Sequence, residues 1–536
     1  MVFLLHQLLS EAAVKYPDRN AILSDKEAIT YYELDKASNR LANLLIEIGV
    51  KRGDRVGIYM PRNINSVIGI LGILKTGGAY VPIDPLCSED RLSYIINKCE
   101  IEFLLSSSQK VNNINRSSPQ GMPLKKVLLM DSTDENHITN NTIQILSWQK
   151  EGTNYSEKQP DVHIIDSDLS YILFTSGSTG NPKGVMISHL NSLTFVDMAH
   201  DFFGIKKEDV FSNNSPLHFD LSVFDFYVAF KAGASVVIVP EGISIFPSKL
   251  AEFIEINKIT VWNSVPSVLS LLTTYANLDS FDFSSLRLVL FAGEVFPMKY
   301  LRQLKNHISS AQFYNIYGQT EANSSTYYLV NKIPEENSSL IPIGKAFPNF
   351  DVFALDENGK RISEPGQKGE LYVRAASVAF GYWADTEKTN EKFLRNPLNH
   401  NSNEIVYRTG DVVRLDNDRN YIFLGRLDHM IKSRGYRIEI GEIETVLSNH
   451  PQVKTAVVIP LPDELIGNRI AAVIVPFSQN GIKKEDILKY CSKLLPKYMI
   501  PEIIEFKETL PTISSGKIDR RILATYFLQA KEQLHG

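Results

Sequence analysis

A glycine-, hydroxyl- and lysine-rich segment carries the strongest chemical signal in this sequence. It covers residues 175–184 and directly follows the apolar residues 172–174, which predict a short buried strand. Glycines let backbone N–H groups turn toward an anion, hydroxyl groups add neutral donors, and Lys183 adds a mobile positive charge. The segment therefore predicts a phosphate-binding loop. It departs from the P-loop pattern because Lys183 stands between a proline and a glycine, which argues against a P-loop NTPase.

Two further residues have types and surroundings that suggest chemistry. Asp220 lies within the apolar segment HFDLSVFD at residues 218–225, and a buried carboxylate is costly unless it is paired. Asp220 therefore predicts pairing with a positively charged group, with a cap of the following helix as the alternative. Lys517 follows a serine and a glycine in SGKIDR near the C-terminus, a composition that predicts a flexible turn, and in isolation it would be a surface lysine.

Composition and charge limit the class of protein. The chain has 536 residues with 56 basic and 61 acidic side chains and a net charge of −5, so neither nucleic acid nor a membrane is an expected partner. Its three cysteines show no metal-binding spacing and predict reduced core thiols of a cytoplasmic protein. The N-terminal segment predicts an amphipathic helix rather than a signal peptide, and no apolar run reaches transmembrane length.

The elements that must position these residues alternate between helical and strand patterns. This alternation favours an α/β fold with a large N-terminal domain of mixed, mainly parallel sheets and helices. Residues 34–48 carry an apolar stripe at helical spacing, and Gly49 follows as the predicted end of that helix. Polar stretches without apolar rhythm predict surface loops at residues 106–121, 131–142 and 396–404.

A second, smaller unit is predicted at the C-terminal end. Residues 454–459 and 470–476 form strand patterns of their own, so we place the domain boundary at Asp428. The prediction is a large domain at residues 1–427 and a small α+β domain at residues 428–536. A length of 536 residues agrees with two or more domains.

Together with the segment at residues 175–184, nine motifs that follow the order of the family make the chain resemble the adenylate-forming superfamily. This superfamily includes acyl-CoA synthetases, luciferases and nonribosomal peptide adenylation domains. The resemblance covers almost the whole chain. The motifs are LKTGGAYVPIDP (74–85), HFDLSVFD (218–225), FAGEVFP (291–297), NIYGQTE (315–321), GELYVR (369–374), YRTGD (407–411), GRLDHMIKSRGYRIEIGEIE (425–444), LPKYMIP (495–501) and SGKIDR (515–520).

The resemblance implies that ATP activates a carboxylate as an acyl-AMP with release of pyrophosphate, and that Mg²⁺ assists. It makes Asp428 the hinge of a mobile C-terminal lid, and Lys432 and Gly435 the ends of a segment presented to an incoming thiol. Glu321 is the implied Mg²⁺ ligand, and the implied catalytic residues are Lys517, Lys183, Thr320 and His218. The implied nucleotide-binding residues are Thr175, Ser176, Gly177, Ser178, Thr179, Gly180, Lys183, Gly293, Glu294, Asn315, Tyr317, Gly318, Thr320, Asp411, Arg426 and Lys517.

The substrate class depends on Asp220. Amino-acid-activating members of the superfamily pair an acid at this position with the substrate ammonium, whereas acyl and aryl activators generally lack it. The other implied pocket residues are mostly apolar and carry no further charge, which suits a small neutral amino acid. Together with Asp220, the implied substrate-binding residues are Leu221, Phe224, Asn263, Leu290, Ala292, Ile316, Ser324 and Ser325.

The leading prediction is a stand-alone enzyme that loads a small amino acid onto the phosphopantetheine thiol of a separate carrier protein. The segments around Asp220, Asn263 and Ala292 look most like D-alanine carrier-protein ligases, but Ala292 replaces their usual cysteine, which weakens the expectation of D-alanine. Gln319 replaces the usual proline and is expected to affect loop rigidity more than chemistry. Two alternatives stay open: a coenzyme A ligase for a small carboxylic acid, and a non-catalytic nucleotide-binding scaffold.

Overall fold

The structure is a computed structural model with most of its chain described. The described residues are 2–25, 27–117, 121–132, 143–177, 181–331, 333, 340–427, 430–478, 482–511, 520 and 522–527.

Helices of very different lengths occur along these residues. A π-helical turn, Phe224–Val228, joins α8 to α9. Within the described residues the α-helices are α1 Leu5–Lys15, α2 Tyr31–Glu47, α3 Ile64–Lys75, α4 Glu89–Lys98, α5 Val111–Ser117, α6 Trp148–Glu151, α7 His189–Phe202, α8 Leu221–Val223, α9 Ala229–Ala232, α10 Pro247–Ile256, α11 Pro266–Tyr275, α12 Met298–His307, α13 Thr386–Lys392, α14 Ile440–Ser448 and α15 Lys484–Leu494.

Strands alternate with these helices through most of the large N-terminal region. They are β1 Asn20–Leu23, β2 Ala28–Thr30, β3 Arg55–Tyr59, β4 Ala79–Pro82, β5 Phe103–Ser106, β6 Lys126–Leu129, β7 Gln144–Ser147, β8 Leu169–Thr175, β9 Lys183–Ser188, β10 Val210–Asn213, β11 Ser235–Ile238, β12 Val261–Ser264, β13 Leu288–Ala292, β14 Gln312–Gln319, β15 Asn323–Leu329, β16 Lys345–Ala346, β17 Asp351–Leu355, β18 Lys368–Arg374, β19 Phe393–Arg395, β20 Ile405–Leu415, β21 Tyr421–Arg426, β22 Met430–Ser433, β23 Tyr436–Glu439, β24 Val453–Asp463, β25 Gly467–Pro476 and β26 Ile503–Phe506.

Two large sheets dominate the N-terminal region. A seven-stranded sheet has the order β7-β6-β5-β3-β4-β8-β9, and a nine-stranded sheet has the order β16-β15-β14-β13-β12-β10-β11-β1-β2. Neighbours β10 to β14 in the second sheet are parallel, whereas β8 pairs with β9, and β14 with β15, in antiparallel fashion. A five-stranded antiparallel sheet of β17 to β21 follows. The predicted α/β class with mixed, mainly parallel sheets is confirmed.

The main hydrophobic core lies between the two large sheets. Helices α2, α3 and α7 contribute Leu41, Leu71 and Val196, which pack in one cluster with Val56 of the first sheet and Val236 of the second. All five side chains are fully buried. Burial of each stabilises the fold by about 1.5–3 kcal/mol, so this shared core holds the two sheets in a fixed relation.

A smaller C-terminal unit follows β21. The hairpin β22–β23 leads into α14, and a three-stranded sheet of β24, β25 and β26 packs with α14 and α15 around its own apolar cluster. The predicted strands at residues 454–459 and 470–476 are confirmed as β24 and β25. No helix among the described residues is long and apolar enough to cross a membrane.

The local predictions agree with the structure except in one polar stretch. The helix predicted before Gly49 is α2, and Gly49 has φ +113°, a value that glycine adopts readily. The prediction of a surface loop at residues 106–121 is wrong in part, because α5 forms there. Val111 and Ile114, three positions apart on one face of α5, are buried against the seven-stranded sheet. Residues 133–142 of the second predicted loop lie outside the described residues.

Candidate active site

A cavity lies where the carboxyl ends of the central parallel strands meet the β8–β9 loop and the β22–β23 hairpin. Crevices at this edge of an open α/β sheet are common ligand sites. The predicted site residues that line it are Thr175, Ser176, His218, Asp220, Leu221, Phe224, Asn263, Leu290, Ala292, Gly293, Ile316, Gly318, Thr320, Ser324, Lys432 and Gly435.

Other predicted residues lie behind this lining or outside the described part of the chain. Those that do not contribute to the cavity wall are Gly177, Lys183, Glu294, Asn315, Tyr317, Glu321, Ser325, Asp411 and Arg426. Those outside the described residues are Ser178, Thr179, Gly180, Asp428 and Lys517.

A buried charge cluster joins the phosphate loop to the C-terminal unit. Glu321 is fully buried and accepts hydrogen bonds from the Arg437 guanidinium at 2.9 and 3.1 Å and from the Tyr382 hydroxyl at 2.7 Å. The Lys183 ammonium lies 4.0 Å from Glu321 Oε1. Burial alone would raise the pKa of Glu321, but the Arg437 and Lys183 charges lower it to about 2. Glu321 is therefore an anion at neutral pH.

Burial has the opposite effect on the pKa of Lys183, which lies at the start of β9. Burial and the neighbouring Arg437 charge lower the pKa of Lys183 to about 8, while the Glu321 and Glu439 carboxylates oppose them. The Glu439 carboxylate lies 3.9 Å from the Lys183 ammonium. Two cations and two anions thus share one buried volume beside the loop that the sequence predicts to bind phosphate.

Asp411 anchors a second network. The Tyr317 hydroxyl and the Gln319 amide donate hydrogen bonds to Asp411 Oδ2, each at 2.5 Å, and the Arg426 guanidinium pairs with Oδ1. The structure differs here from the expectation that Gln319 affects mainly loop rigidity. Gln319 lies within β14 and its side chain contacts Asp411 directly, so it belongs to the site.

Glu294 links the two parts of the chain. Its carboxylate accepts hydrogen bonds from the Gly435 N–H at 2.5 Å and from the Ser267 N–H of α11 at 3.0 Å. Burial raises the pKa of Glu294, and these two backbone donors oppose that rise. In this arrangement Glu294 holds the β22–β23 turn, and its neighbour Gly293 lines the cavity. Asn315 does not line the cavity, and its side-chain amide donates a hydrogen bond to the Pro342 carbonyl at 2.8 Å.

Asp220 lies on the cavity wall at the start of α8. It makes no side-chain capping hydrogen bond on α8, although the backbone N–H of Leu221 at the start of that helix helps to lower its pKa. Burial raises the pKa of Asp220, and a hydrogen bond from Thr320 opposes the rise. Among the described residues no cationic side chain forms an ion pair with Asp220, and Lys432 acts on it only from a distance. The carboxylate is thus available to a ligand.

The lining near Asp220 is more aromatic than the sequence predicted. Phe195 and Phe203 of the α7 region and Phe347 join the predicted Phe224, and their positions far apart in the chain gave no local signal. Ser325 is fully buried and lies off the wall that Ser324 lines, because successive residues of β15 point to opposite faces. His218 follows β10 and lines the cavity with a buried, unpaired Nε2 among the described residues. Burial lowers the pKa of His218.

Residues of the hairpin region complete the site and were missed from the sequence. Arg437 binds Glu321, and its backbone carbonyl accepts a hydrogen bond from the Ser176 hydroxyl at 2.8 Å. Glu442 pairs with Arg91 of α4 at 2.9 Å and accepts from the Gly177 N–H at 3.4 Å. Both residues belong to the motif at 425–444, so their presence in that motif was the available signal.

The donor set at Glu321 fits the implied magnesium ion. Mg²⁺ prefers hard oxygen ligands and is commonly bound through one or two carboxylates together with water and substrate phosphates. Glu321 supplies one fully buried carboxylate that stays ionised, close to the Lys183 end of the predicted phosphate loop. The described residues contain no group of three or more His, Cys, Asp or Glu side chains arranged to hold a metal without a substrate.

Comparison with protein families and curated proteins gives consistent matches. Residues 9–383 match the family model of the AMP-binding enzymes, and residues 442–517 match that of the AMP-binding enzyme C-terminal domain. An L-proline--[L-prolyl-carrier protein] ligase from Pseudomonas fluorescens is 35% identical over 521 residues, covering 97% of this chain and 99% of that protein. Zwittermicin A synthase ZmaJ from Bacillus cereus is 33% identical, covering 97% and 94% of the two chains.

Solved structures share the fold across the whole chain. The amide bond synthetase McbA from Marinactinospora thermotolerans has a TM-score of 0.85 at 23% identity and covers 98% of this chain and 99% of its own. The Vibrio cholerae adenylation domain AlmE, solved with glycyl-adenosine-5′-phosphate, has a TM-score of 0.84 at 23% identity, with coverages of 99% and 98%. With the two family models and the full-length relatives, these matches agree with the motifs found in the sequence. The chain belongs to the AMP-binding enzymes of the adenylate-forming superfamily.

Proposed function

We propose that this protein is an AMP-forming amino acid–carrier protein ligase, which activates a small neutral amino acid with ATP and transfers it to the phosphopantetheine thiol of a separate carrier protein. The observation that carries the proposal is Asp220, a carboxylate on the cavity wall with no ion-pair partner among the described residues. A buried carboxylate is costly unless a cation pairs with it, and a substrate α-ammonium supplies that cation.

In the first half-reaction, a substrate carboxylate oxygen attacks the α-phosphorus of ATP and the bond to the bridging oxygen of pyrophosphate breaks. Two anions must approach, so positive charge near the reacting atoms lowers the barrier. Lys183 and the loop at residues 175–184 hold the phosphates, and Thr320 contacts the α-phosphate. Lys517 bridges the substrate carboxylate and the α-phosphate. His218 lies on the same cavity wall as Thr320, which supports its assignment to this step.

The nucleoside is held by residues of the second network. We assign Asp411, with Arg426 paired to its Oδ1, to the ribose hydroxyls, and Tyr317 and Gly293 to the adenine; Gly293 lines the cavity, and Tyr317 donates to Asp411 outside that lining. Glu321 would hold Mg²⁺, which would neutralise phosphate charge when bound. The buried position of Glu321 next to Lys183 supports this assignment, since both groups then face the same phosphates.

In the second half-reaction, the carrier thiol sulfur attacks the acyl carbonyl carbon and AMP leaves. One cleft serves two reactions if the C-terminal lid at residues 428–536 rotates about Asp428. What supports this proposal is that Lys432 and Gly435 line the cavity while Arg437 binds Glu321. We assign this arrangement to the thiol-transfer state, because Arg437 then occupies the carboxylate that the first step requires for the metal.

The relatives favour a carrier thiol over coenzyme A. The Pseudomonas protein, which this chain matches over nearly the full length of both, is named for loading L-proline onto a carrier protein. The apolar, aromatic wall around Leu290, Ala292 and Phe224 suits a small uncharged side chain, proline among others.

Incubation of the protein with ATP, Mg²⁺ and a mixture of small amino acids, together with either a phosphopantetheinylated free-standing peptidyl carrier protein or coenzyme A, tests the proposal. Intact-mass spectrometry should reveal an aminoacyl thioester on the carrier protein and little on coenzyme A. Equal or preferential acylation of coenzyme A would replace the proposal with the coenzyme A ligase alternative. AMP formation in the absence of any amino acid and of either acceptor would contradict both the proposed function and the coenzyme A ligase alternative.

A further inference from the structure

A buried carboxylate lies directly behind the wall of the amino acid pocket. Asp225, in the π-helical turn after α8, is fully buried. Its Oδ2 accepts a hydrogen bond from the Asn213 amide at 2.9 Å, and its Oδ1 accepts one from the Asn263 amide at 3.2 Å. Asn263, on β12, lines the cavity, whereas Asn213 does not. Of these two hydrogen-bond partners of Asp225, Asn263 is thus the one that lines the pocket.

The side-chain nitrogen of Asn263 donates toward two acceptors. One hydrogen bond goes to Asp225 Oδ1, and a longer one, at 3.5 Å, goes to the Leu221 carbonyl. The Leu221 carbonyl can only accept hydrogen bonds, and so can Asp225 in its ionised form, so a flipped amide would then set its oxygen against both. The orientation of Asn263 is thereby fixed.

The amide oxygen of Asn263 remains open. It has no hydrogen-bond partner among the described residues. Asn213 Oδ1 is an unpaired atom sealed inside the protein, whereas Asn263 Oδ1 is not sealed in this way. Asn263 lines the cavity and its oxygen is not among the sealed unpaired atoms, so we infer that this acceptor is accessible from the space that a ligand fills. Around it the wall is mainly apolar, so a donor placed there would find a preferred partner.

Hydrogen bonds, rather than an ion pair, stabilise the buried carboxyl group of Asp225. Arg62 is a charged residue that acts on Asp225, but its guanidinium donates instead to the carbonyls of Asn213 at 3.0 Å and Ser215 at 2.9 Å. Burial raises the pKa of Asp225 to about 7, while the two amide donors and Arg62 oppose the rise. A carboxyl group that is costly to bury is thus held by two amides, one of which reaches the pocket.

We infer that Asp225 is a positioning residue for substrate selection, which orients Asn263 so that the amide oxygen accepts a hydrogen bond from a donor of the bound amino acid. The donor is either the α-ammonium or a hydroxyl or thiol of the side chain. The inference rests on the proposed function and adds the group that sets its selectivity. A site built to accept a hydrogen bond disfavours an analogue that lacks the donor, because the acceptor is then left unpaired.

The experiment uses amino-acid-dependent pyrophosphate exchange with two kinds of substrate pair. Serine against 2-aminobutyrate, and threonine against valine, report on a side-chain donor; 2-aminobutyrate against butyrate reports on the ammonium. Asp225→Asn and Asn263→Leu are compared with wild type, and Asn213→Ala is the matched control because it removes the other partner of Asp225 without touching the pocket. Asp225→Ser replaces Asp225→Asn if the latter does not fold.

For each pair we compare kcat/KM for the substrate with the donor to kcat/KM for the substrate without it. Asp225→Asn and Asn263→Leu should both reduce this ratio by about tenfold, the value of one neutral hydrogen bond, and for the same pair. Asn213→Ala should leave that ratio unchanged. The ratio that falls identifies the donor. The inference is overturned if Asn263→Leu changes neither ratio, or if Asn213→Ala changes it as much as Asp225→Asn does. Wild-type protein that exchanges with no amino acid would refute the proposed function and this inference together, whereas unaltered ratios with active wild type refute the inference alone.

Discussion

Arg437→Met is the perturbation that separates the two half-reactions most clearly. The guanidinium makes two hydrogen bonds to Glu321, at 2.9 and 3.1 Å, and joins the C-terminal unit to the large domain. Methionine keeps an unbranched chain of similar reach and removes the charge. We expect the arrangement with the hairpin in the cavity to lose stability relative to the arrangement used for adenylation.

The magnitude follows from burial and from the partners that remain. Removing one member of a buried ion pair costs about 3–5 kcal/mol when the other is left uncompensated. Here Glu321 keeps the Tyr382 hydroxyl at 2.7 Å and the Lys183 ammonium at 4.0 Å. These contacts offset part of the loss, which leaves about 2 kcal/mol, or roughly a 30-fold effect on a step that needs this arrangement.

The assay measures both half-reactions on the same preparations. Single-turnover transfer from aminoacyl-AMP to a carrier protein should fall roughly 30-fold in Arg437→Met, while pyrophosphate exchange changes by less than about threefold. Arg434→Met is the matched control, since Arg434 lies in the same β22–β23 hairpin but pairs with Glu502 of the C-terminal unit at 3.0 Å. Equal losses in both half-reactions, or the same defect in the control, would refute the assignment of this arrangement to thiol transfer.

Three further outcomes are expected. Asp220→Ala should lower kcat/KM for the amino acid by on the order of 10²-fold and leave the KM for ATP unchanged, because the ammonium loses its partner; a parallel rise in the KM for ATP would count against that role. Lys517→Ala should reduce pyrophosphate exchange by about 10²-fold or more while ATP binding, measured by calorimetry, is retained; near-normal exchange would rule out the assignment. For Asp225, the folded pKa of about 7 lies above the usual value for Asp, so the native state holds a proton that the unfolded chain has lost. The free energy of unfolding of wild type, measured with urea, should therefore fall between about pH 4 and pH 7 and level off above, whereas Asp225→Asn lacks this slope; parallel pH profiles would contradict it.

The sequence predicted the elements that carry strong local patterns. The strand before the phosphate loop is β8, and the helix before Gly49 is α2, because apolar spacing at residues 172–174 and 34–48 directly reflects burial. Helix α5 was missed because its polar Ser and Asn residues dominate the stretch, while Val111 and Ile114 supply the only buried apolar pair of that helix. Two apolar side chains are too few to establish a period.

The site was predictable where a motif marks a residue and less so where partners come from distant segments. Asp220, Asn263 and Ala292 line one cavity, whereas their role in binding the amino acid stays a prediction. The hydrogen bond between Gln319 and Asp411 spans 92 positions, and the ion pair between Arg437 and Glu321 spans 116, so no local pattern could indicate either. Both depend on how the sheets and the C-terminal unit pack.

The most direct test of the account is pyrophosphate exchange by wild-type protein with small L- and D-amino acids, each paired with the carboxylic acid that lacks its amino group. The α-ammonium is the cation that Asp220 requires, so the account predicts exchange with at least one amino acid and at least about 10²-fold less with its deaminated partner. Exchange with the deaminated acids as fast as with the amino acids would contradict the assignment of Asp220 and, with it, the proposed function.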